Sequence, residues 1–490
     1  MGKVDRPAGA ERVPVGALRY PRRANRDSPR RGGAAIVRLS REPLMFKIQL
    51  SKFRCFYDQQ PLEIRPITFL VGENSAGKTT FMAAVRILME SFIRVPQNPF
   101  NRDPYFLGGF DQIAHYRGGV RGRAKDFCLE VAVPASEASA GRRAPAVATR
   151  HRLTFVKGSS PQPELNEYEF TTPDADVVLS LAGNKVSLKL IVGGQEKLVY
   201  EPRRLPPMAA LRKDLSYLRY VFDEIAFSAQ GVALPPDSRV TKISPDLTPT
   251  IDLLIKHYTA STRFLQRRIF ASAPVRTQPL RTYTPSEIEP SSEGAHVPLE
   301  MARQKISSPD EWEGIHERLK TFGQNSGLFE DVDIRLLGTR DGDPFQVVVK
   351  TKGQPFNLVD VGYGVSQALP IIYQLEQPRQ HDTFFLQQPE VHLHPRAQAE
   401  LGSVVARLSR QRANSMFLLE THSDYLIDRV RMEVKAGKLD HRNVTIIFFD
   451  KHPHEVQAKN IYLSEQGEIS WPPHNFRAFF LEEHARLLGL

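Results

Sequence analysis

The sequence predicts an α/β protein in which a mostly parallel sheet, flanked by helices, is split by a large α+β insertion. A glycine-rich loop at residues 72–79 lies between a strand pattern and a helix pattern. Far downstream, residues 383–449 alternate between strand and helix patterns, which is typical of a parallel sheet with helices on its faces. Between these regions, residues 125–205 show the apolar alternation of β-strands.

The composition is that of an ordinary globular protein. Its 490 residues suffice for two to three domains, with 41% hydrophobic and 25% charged residues. The sequence has no run of about 18 apolar residues, so we expect no membrane span. The two cysteines, Cys55 and Cys128, are far apart and lack metal-ligand spacing, which fits the reducing cytoplasm.

The positive charge is concentrated in the first 44 residues. Residues 1–44 carry eleven Lys and Arg against four Asp and Glu, a net +7 of the total +11. This Arg-, Pro- and Gly-rich segment lacks apolar periodicity and is predicted to be disordered. It is interpreted as a mis-assigned start, a nucleic-acid-binding arm or a targeting segment, and the compact protein begins naturally at Met45.

The remaining elements follow in chain order. Strands are predicted at 46–56 and 62–71, and a helix from Thr79 to Ile93. Further along, the patterns predict mostly strands at 125–205, helices at 209–228 and 249–270, a Pro- and Ser-rich loop at 271–310, strands at 332–336, 345–349, 383–388, 415–420 and 443–449, and helices at 396–410 and 424–436.

The loop after the second strand has the pattern of a phosphate-binding loop. Residues 72–79, GENSAGKT, match GxxxxGK[ST] in full, between a strand and a helix. The glycines let backbone N–H groups point at phosphates, and the helix N-terminus adds a partial positive charge. Lys78 is placed to reach the β- and γ-phosphates, and the Thr79 hydroxyl to bind Mg²⁺. The sequence therefore predicts binding of ATP with Mg²⁺.

The segment FLVGENSAGKTT resembles the ATP-binding heads of the SMC, RecF and OLD-like ATPases. These are ABC-type ATPases that split the head across an insertion. The resemblance implies that nucleotide is bound by Gly72, Asn74, Ser75, Ala76, Gly77, Lys78, Thr79 and Thr80.

Two further motifs of these families are matched loosely. Gln112 lies 34 residues after Lys78 and resembles the Q-loop glutamine, which senses Mg²⁺ and water; a plain surface glutamine is the alternative. Gly364 and Ser366, at the start of an apolar helix, resemble the signature loop that caps the nucleotide of the opposite subunit. For Ser366 the alternative is a local helix cap.

The Walker B position departs from the family pattern. Residues 383–390, TFFLQQPE, place glutamines where the family has acidic residues for Mg²⁺ and water, Gln387 for the metal and Gln388 for water. Glutamine cannot accept a proton as a carboxylate does, which puts fast hydrolysis in doubt. Glu390 is the nearest carboxylate and could substitute as the catalytic base.

Two histidine-containing segments complete the resemblance. Residues 391–395, VHLHP, resemble the D-loop of OLD-like ATPases; a metal site formed by His392 and His394 is the alternative. His422, in the strand-to-loop segment ETHS, resembles the switch histidine that hydrogen-bonds the γ-phosphate; a solvent histidine is the alternative.

The resemblance covers roughly 46–120 and 330–450. It divides the chain into a basic tail at 1–44, head lobes at 45–124 and 331–450, a partner- or substrate-recognising insertion at 125–330 and an extension at 451–490. Weaker matches at 279–283, 297–298 and 467–472 resemble a prokaryotic AAA-type ATPase group that is similar to ATPases of phage and plasmid defence. The TOPRIM motif Asp-x-Asp of OLD nucleases does not occur after Asp450, so we do not expect this chain to cut nucleic acid itself.

The resemblance implies a cytoplasmic ATP-driven switch. Two or more heads would associate around ATP as a homodimer or higher oligomer and control a protein effector in anti-phage or anti-plasmid defence. One alternative is a non-hydrolysing, nucleotide-gated scaffold. Another is a RecF- or SMC-like DNA-repair ATPase, with a basic groove formed by residues 202–213 and 263–281, although sustained heptads are lacking.

Overall fold

The computed structural model describes residues 45–92, 98–119, 121–134, 148–181, 186–200, 245–285, 289–340, 342–377, 382–412 and 414–470, all within one compact unit. Four sequence predictions lie outside these ranges: the disorder of 1–44, the helix at 209–228, the basic run at 202–213, and the last two residues, 471–472, of the family match at 467–472. Within the described ranges, each helix is too short or too polar to cross a bilayer.

A seven-stranded sheet forms the head. Its strands, in spatial order, are β13 (Arg268–Ser272), β17 (Asp382–Gln387), β18 (Met416–Glu420), β4 (Ile67–Gly72), β19 (Val444–Lys451), β20 (Val456–Leu463) and β21 (Ile469–Ser470). The first five are parallel, and the last two pair antiparallel. Carboxyl ends of parallel strands meet at one edge, where open α/β sheets bind ligands. The predicted parallel sheet is confirmed.

A second, antiparallel sheet carries most of the early strands. It contains β1 (Phe46–Phe53), β2 (Phe56–Asp58), β3 (Leu62–Ile64), β7 (Asp126–Val133), β8 (Thr149–Lys157), β9 (Pro163–Thr171), β10 (Asp176–Ser180), β11 (Ser187–Val192) and β12 (Gln195–Tyr200). Residues 125–205 were predicted to be mostly β, and the described part of that range is. The predicted strands 46–56 and 62–71 each divide in two, because Lys52 and Arg54 adopt positive φ and a bend at Arg65–Pro66 separates β3 from β4.

Helix α1 (Lys78–Glu90) packs between the two sheets. A short hairpin of β5 (Asn101–Arg102) and β6 (Tyr105–Phe106) and the single turn α2 (Phe110–Ile113) follow it. Helix α3 (Thr248–Leu265) covers the antiparallel sheet, where the Ser261 hydroxyl lies 2.8 Å from His151 Nε2.

The prediction for residues 249–310 was partly wrong. The helix ends at Leu265, and Arg268–Ser272 forms β13, whose Phe270 packs 6.0 Å from Phe384 between ring centroids. The predicted loop at 271–310 contains α4 (Val297–Ser307), and α5 (Pro309–Ser326) begins within it. Two of the six prolines that suggested a loop, Pro298 and Pro309, occupy first turns of helices, where a missing N–H breaks no helical hydrogen bond.

The other face of the head sheet is covered by the C-terminal helices and a small sheet. These are α6 (Tyr363–Glu376), α7 (Pro395–Gln411) and α8 (Asp424–Lys435), with β14 (Asp331–Leu336), β15 (Phe345–Lys350) and β16 (Pro355–Asn357) beside α5. Because side chains alternate along β4, Leu70 packs into the core shared with α1 and Phe69 into the core beneath α6 to α8. The two cores fix the carboxyl edge of the sheet.

Candidate functional site

The glycine loop between β4 and α1 has the backbone of a phosphate cradle. Gly72 has φ 145°, and a Cβ there would lie 2.4 Å from the Phe449 carbonyl oxygen. Gly77 has φ 87°, and a Cβ there would lie 2.6 Å from Cys55 Sγ. Both positions therefore require glycine, and α1 begins directly afterwards with its N-terminus facing the loop.

Lys78 is held inside the loop. Its side chain is buried, and Nζ donates to the carbonyl oxygens of Gly72 at 3.0 Å and Glu73 at 2.8 Å. Burial lowers the pKa of the amine, whereas the charges of Glu420 and Glu390 oppose that shift. A phosphate entering the cradle would replace the two carbonyls as the partner of this ammonium group.

Glu420 is a site residue that sequence reasoning did not assign. It ends β18, between the Walker B strand and the loop strand, with Gln387 opposite on one side and Leu70 on the other. The Thr79 hydroxyl donates to Glu420 Oε2 at 2.8 Å. Burial raises the pKa of this carboxyl, opposed by the Thr79 hydrogen bond and by Lys78. The detectable signal was a carboxylate at the end of the predicted strand 415–420.

Gln387 and Gln388 lie at the end of β17. Gln387 is buried, and its Nε2 has no hydrogen-bond partner among the described residues. Gln388 adopts φ 41°, and its N–H donates to the Glu420 carbonyl at 2.8 Å. The two glutamines therefore lie beside Glu420, a carboxylate on the neighbouring strand that the Walker B pattern did not predict.

Glu390 lies behind the glutamines. It is buried, and its Oε1 accepts the His422 backbone N–H at 2.7 Å, whereas Oε2 has no hydrogen-bond partner within the described ranges. Burial raises the pKa of this carboxyl, and the His422 N–H, the Glu390 N–H, the Thr421 side chain and the charge of Arg276 oppose the shift. A buried carboxylate with one fixed and one free oxygen is suited to orient and deprotonate a water.

His422 follows directly on the same loop. Part of its ring is exposed, and partial burial together with the charge of Lys78 lowers the pKa of the imidazole. The ring is therefore neutral at pH 7 and has one N–H to donate to a phosphate oxygen.

A cavity of about 360 Å³ lies over the glycine loop and Glu420, and Gln387, Gln388, Glu390 and His422 are not among its lining residues. It is lined by Arg54, Cys55, Glu420 and the loop residues 75–80, which include Ser75, Ala76 and Thr80. Gly72 and Asn74 lie at the base and the exposed tip of the loop. Arg54 and Cys55 come from the turn after β1 and had not been predicted. The predicted loop residues and Glu420 thus share one site.

The structure places Gln112 differently from the prediction. Its side-chain oxygen accepts the Gly109 N–H at 2.8 Å and so caps its own turn, α2. The side chain is exposed and is not among the residues that line the cavity beside Lys78. The role of Gln112 at Mg²⁺ stays a prediction, and in this arrangement the side chain is engaged with its own turn.

The signature segment packs against the D-loop. A Cβ on Gly364 would lie 2.8 Å from the His392 carbonyl oxygen, and the rings of Tyr363 and His392 are 4.8 Å apart. The buried Ser366 hydroxyl donates to the Tyr363 carbonyl at 2.9 Å inside its own helix, whose N-cap is Gly362, so Ser366 is not the helix cap of the local alternative. Gly364 and Ser366 do not line the cavity beside Lys78 of their own chain.

The D-loop histidines have separate roles. His394 accepts the Arg396 N–H and caps α7, whereas His392 has φ 66° and packs on Tyr363. In the described part of the chain, the three-residue group with metal-ligand spacing is Glu313, His316 and Glu317, on α5. The alternative of a metal held by His392 and His394 gains no support.

Comparisons with known proteins agree with this geometry. Residues 280–428 match the family model "AAA domain, putative AbiEii toxin, Type IV TA system". A stretch of 108 residues is 31% identical to the OLD nuclease of Thermus scotoductus, covering 18% of this chain and 20% of that nuclease. The chain thus spans about a fifth of the length of this relative.

Solved structures of SMC heads are also similar. The SMC head domain from Thermotoga maritima has a TM-score of 0.36 at 10% identity, covering 86% of this chain and 100% of that one. The Smc head of Pyrococcus furiosus with an extended coiled coil, bound to the C-terminal domain of ScpA, has a TM-score of 0.37 at 9% identity, covering 91% and 99%.

The family match runs through the segments that hold Gly364, Gln387, Glu390 and His422. The two matches confirm the predicted resemblance to an ABC-type AAA ATPase of the OLD-like group over the residues that they cover.

Proposed function

We propose that this chain is an ATP-hydrolysing switch in which Glu420 and Glu390 take the roles that the Walker B glutamines cannot. The observation that carries the proposal is the hydrogen bond from Thr79 to Glu420 beside Lys78. Hydroxyl, carboxylate and amide oxygens are ligands that Mg²⁺ accepts. Thr79, Glu420 and Gln387 therefore fit a Mg²⁺ site at the end of β18.

Hydrolysis would use the groups around this site as follows. Lys78 and the loop N–H groups bind the β- and γ-phosphates, and the His422 ring donates to a γ-phosphate oxygen. Bound Mg²⁺ supplies charge stabilisation of the phosphates. The free oxygen of Glu390 accepts a proton from water while the water oxygen bonds to the γ-phosphorus and the bond to the β–γ bridging oxygen breaks. ADP leaves with that oxygen.

We propose that the heads associate as a homodimer or higher oligomer. Gly364 and Ser366 lie away from their own cavity, so the proposed trans contact requires a second copy. Apolar side chains are exposed beside them, with Phe356 at 49%, Val359 at 39% and Tyr363 at 43% exposure. Burying such groups stabilises an interface. The γ-phosphate would order this interface, and hydrolysis would release it.

The switch would control a protein effector in defence against phages or plasmids. This step rests on the similarity to the OLD nuclease and on the toxin–antitoxin wording of the matching family model. The free cysteines, Cys55 and Cys128, support the proposed cytoplasmic location.

The first experiment measures ATP binding and steady-state phosphate release by the full chain with Mg²⁺. Lys78→Ala should abolish binding, and Glu390→Gln should keep binding but lose turnover. Absence of turnover in the parent, with ATP bound through Lys78, would instead favour the non-hydrolysing scaffold suggested by Gln387 and Gln388. ATP binding that survives Lys78→Ala would contradict both functions.

A nucleic-acid-dependent ATPase is a second candidate, favoured by a basic hairpin at residues 116–125. Tyr116 pairs with Arg123, and no acidic residue lies within the hairpin. The guanidinium of Arg117 lies 3.2 Å from the Tyr57 ring centroid, and that of Arg123 lies 4.9 Å from the Tyr116 ring centroid. Exposed cations interleaved with aromatic rings suit phosphates and stacked bases.

The groove proposed from residues 263–281 has less support. Arg276 is buried, and Arg281 forms a two-bond ion pair with Asp360.

Binding of single-stranded DNA at several salt concentrations tests the role of the basic hairpin. Changing Arg117, Arg121 and Arg123 to glutamine should reduce both the affinity and its salt dependence. The charge-matched control changes three exposed lysines elsewhere, Lys435, Lys451 and Lys459. Equal affinity in both triple variants would remove this candidate.

A further inference from the structure

Arg276 is a buried arginine at the carboxyl edge of the head sheet. It follows β13, which pairs in parallel with the Walker B strand, and only 2% of its surface is exposed. Its Nη2 donates to the Gln388 carbonyl at 3.3 Å, whereas Nε and Nη1 have no hydrogen-bond partner among the described residues. Burying a charged group with unpaired donors opposes folding. A compensating role at this edge would explain its position.

The contact to Gln388 restrains a strained turn. Gln388 has φ 41°, a left-handed conformation that is unfavourable for a residue with a side chain. On one side its N–H donates to the Glu420 carbonyl, and on the other its carbonyl accepts from Arg276 and from the Val391 N–H at 3.2 Å. Both peptide groups of the turn are therefore fixed, and Glu390 lies two residues further on.

Arg276 also faces the buried charge of Glu390. Each group acts electrostatically on the other, and Glu390 retains one unpaired oxygen. The other groups that face Glu390 are the His422 loop, through its backbone N–H, and Lys78 on α1. Glu420 also acts on Lys78. Among the described residues, Arg276 forms no ion pair within 4 Å of Glu390, and it acts on Glu390 as the cation on the β13 side of the carboxylate.

We infer that Arg276 is a positioning residue for ATP hydrolysis, which locks the turn at Gln388 and supplies the countercharge to Glu390. This inference rests on the proposed function. Arg276 touches neither nucleotide nor water in the proposed mechanism. It holds in place Glu390, the carboxylate that contacts the water in that mechanism.

The test compares Arg276→Gln and Arg276→Lys with Arg267→Gln. Arg267 is a matched control because it precedes β13 at the opposite end, donates to the carbonyls of Phe264 and Asn414, and, like Arg276, has a pKa lowered by burial to about 10. Thermal unfolding of the three variants measures the purely structural cost of losing a buried guanidinium.

Arg276→Gln should lower kcat about ten- to a hundredfold, the usual effect of losing a group that orients a catalytic ligand, with KM for ATP nearly unchanged. The acidic limb of its pH–rate profile should move upward, because an opposing charge near a carboxyl lowers its pKa. Arg276→Lys should keep the parental limb and regain part of kcat. Arg267→Gln should leave both kcat and the limb unchanged.

A double-mutant cycle with Glu390→Gln gives the deciding result. If Arg276 acts through Glu390, the double variant should be no slower than Glu390→Gln alone. Additive losses, or an unshifted acidic limb in Arg276→Gln and Arg276→Lys alike, would overturn the inference. Absence of turnover in the parent would instead refute the proposed ATPase function. If Arg276→Gln fails to fold, the kcat and limb of Arg276→Lys decide.

Discussion

Replacing Glu420 with glutamine should separate Mg²⁺ binding from folding. The change keeps the size of the side chain and an oxygen that can accept the Thr79 hydroxyl, now 2.8 Å from Oε2. It removes the negative charge that faces Lys78. The proposed Mg²⁺ site at the end of β18 then has only neutral oxygen ligands, those of Thr79, Gln387 and the new glutamine.

The expected loss follows from the difference between a charged and a neutral ligand. An interaction with a charged group contributes about 1.5–3 kcal/mol, against about 1 kcal/mol for a neutral pair. Since each 1.4 kcal/mol is tenfold in a binding constant, the Mg²⁺ concentration for half-maximal turnover should rise about three- to thirtyfold. ATP binding without Mg²⁺ should not weaken, because removing Glu420 also removes a competitor for Lys78.

Stability should move in the opposite direction. Burial raises the pKa of Glu420 in the folded protein. A carboxyl whose folded pKa lies above its unfolded pKa opposes folding as pH rises through that interval, and the full cost remains at higher pH. Glu420→Gln should therefore unfold at a higher temperature than the parent at pH 8 without Mg²⁺, and with a smaller difference at pH 4.

The assays are phosphate release against Mg²⁺ concentration and thermal unfolding at both pH values. Glu63→Gln is the control, since Glu63 is a largely buried carboxylate on β3 that pairs with Arg65 at 2.6 Å, outside the cavity. It should leave the Mg²⁺ dependence unchanged. A parental Mg²⁺ dependence in Glu420→Gln, or a lower unfolding temperature at pH 8, would refute the assignment of Glu420.

Three further predictions concern the pH dependence and the loop. Because burial raises the pKa of Glu390 above its usual 4.5, the acidic limb of the parental pH–rate profile should lie above that pH. Glu390→Gln should lower kcat about 10²–10⁴-fold and abolish this limb. Gly77→Ala should abolish ATP binding, since its Cβ would meet Cys55 Sγ at 2.6 Å, whereas Gly437→Ala, with a positive φ but nothing within 4 Å, should cost only stability in calorimetry. Burial lowers the pKa of His151 to about 3, so protonation of this histidine in the unfolded chain below pH 6.5 opposes folding. The free energy of unfolding should therefore fall with decreasing pH. In denaturant titrations, His151→Gln should remove about 1.4 kcal/mol per pH unit of that decrease.

The sequence was sufficient for features that depend on local patterns. The phosphate loop is a contiguous motif whose glycine positions reflect backbone angles, and the structure gives Gly72 and Gly77 positive φ. The alternation of strands and helices after residue 382 was equally local, and each predicted element there is present within a few residues. These features need no knowledge of which strands are neighbours.

The missed features depend on neighbours that are remote in sequence. Glu420 matters because β18 lies between β17 and β4, which brings it to Thr79 across 341 residues. Arg276 matters because β13 joins the same sheet from within the predicted insertion. Gln112 was placed by spacing alone, and its preference for capping α2 is a local hydrogen bond that spacing does not reveal.

The path of β13 has a mechanical consequence. Helix α3 rests on the antiparallel sheet, where Ser261 meets His151, and its end at Leu265 continues almost directly into β13. The chain then reaches Arg276 at the carboxyl edge. A partner that displaces α3 would thus pull on the turn at Gln388 through covalent bonds and a hydrogen-bonded strand. Residues 248–276 thus connect the helix on the antiparallel sheet to the carboxyl edge of the head sheet.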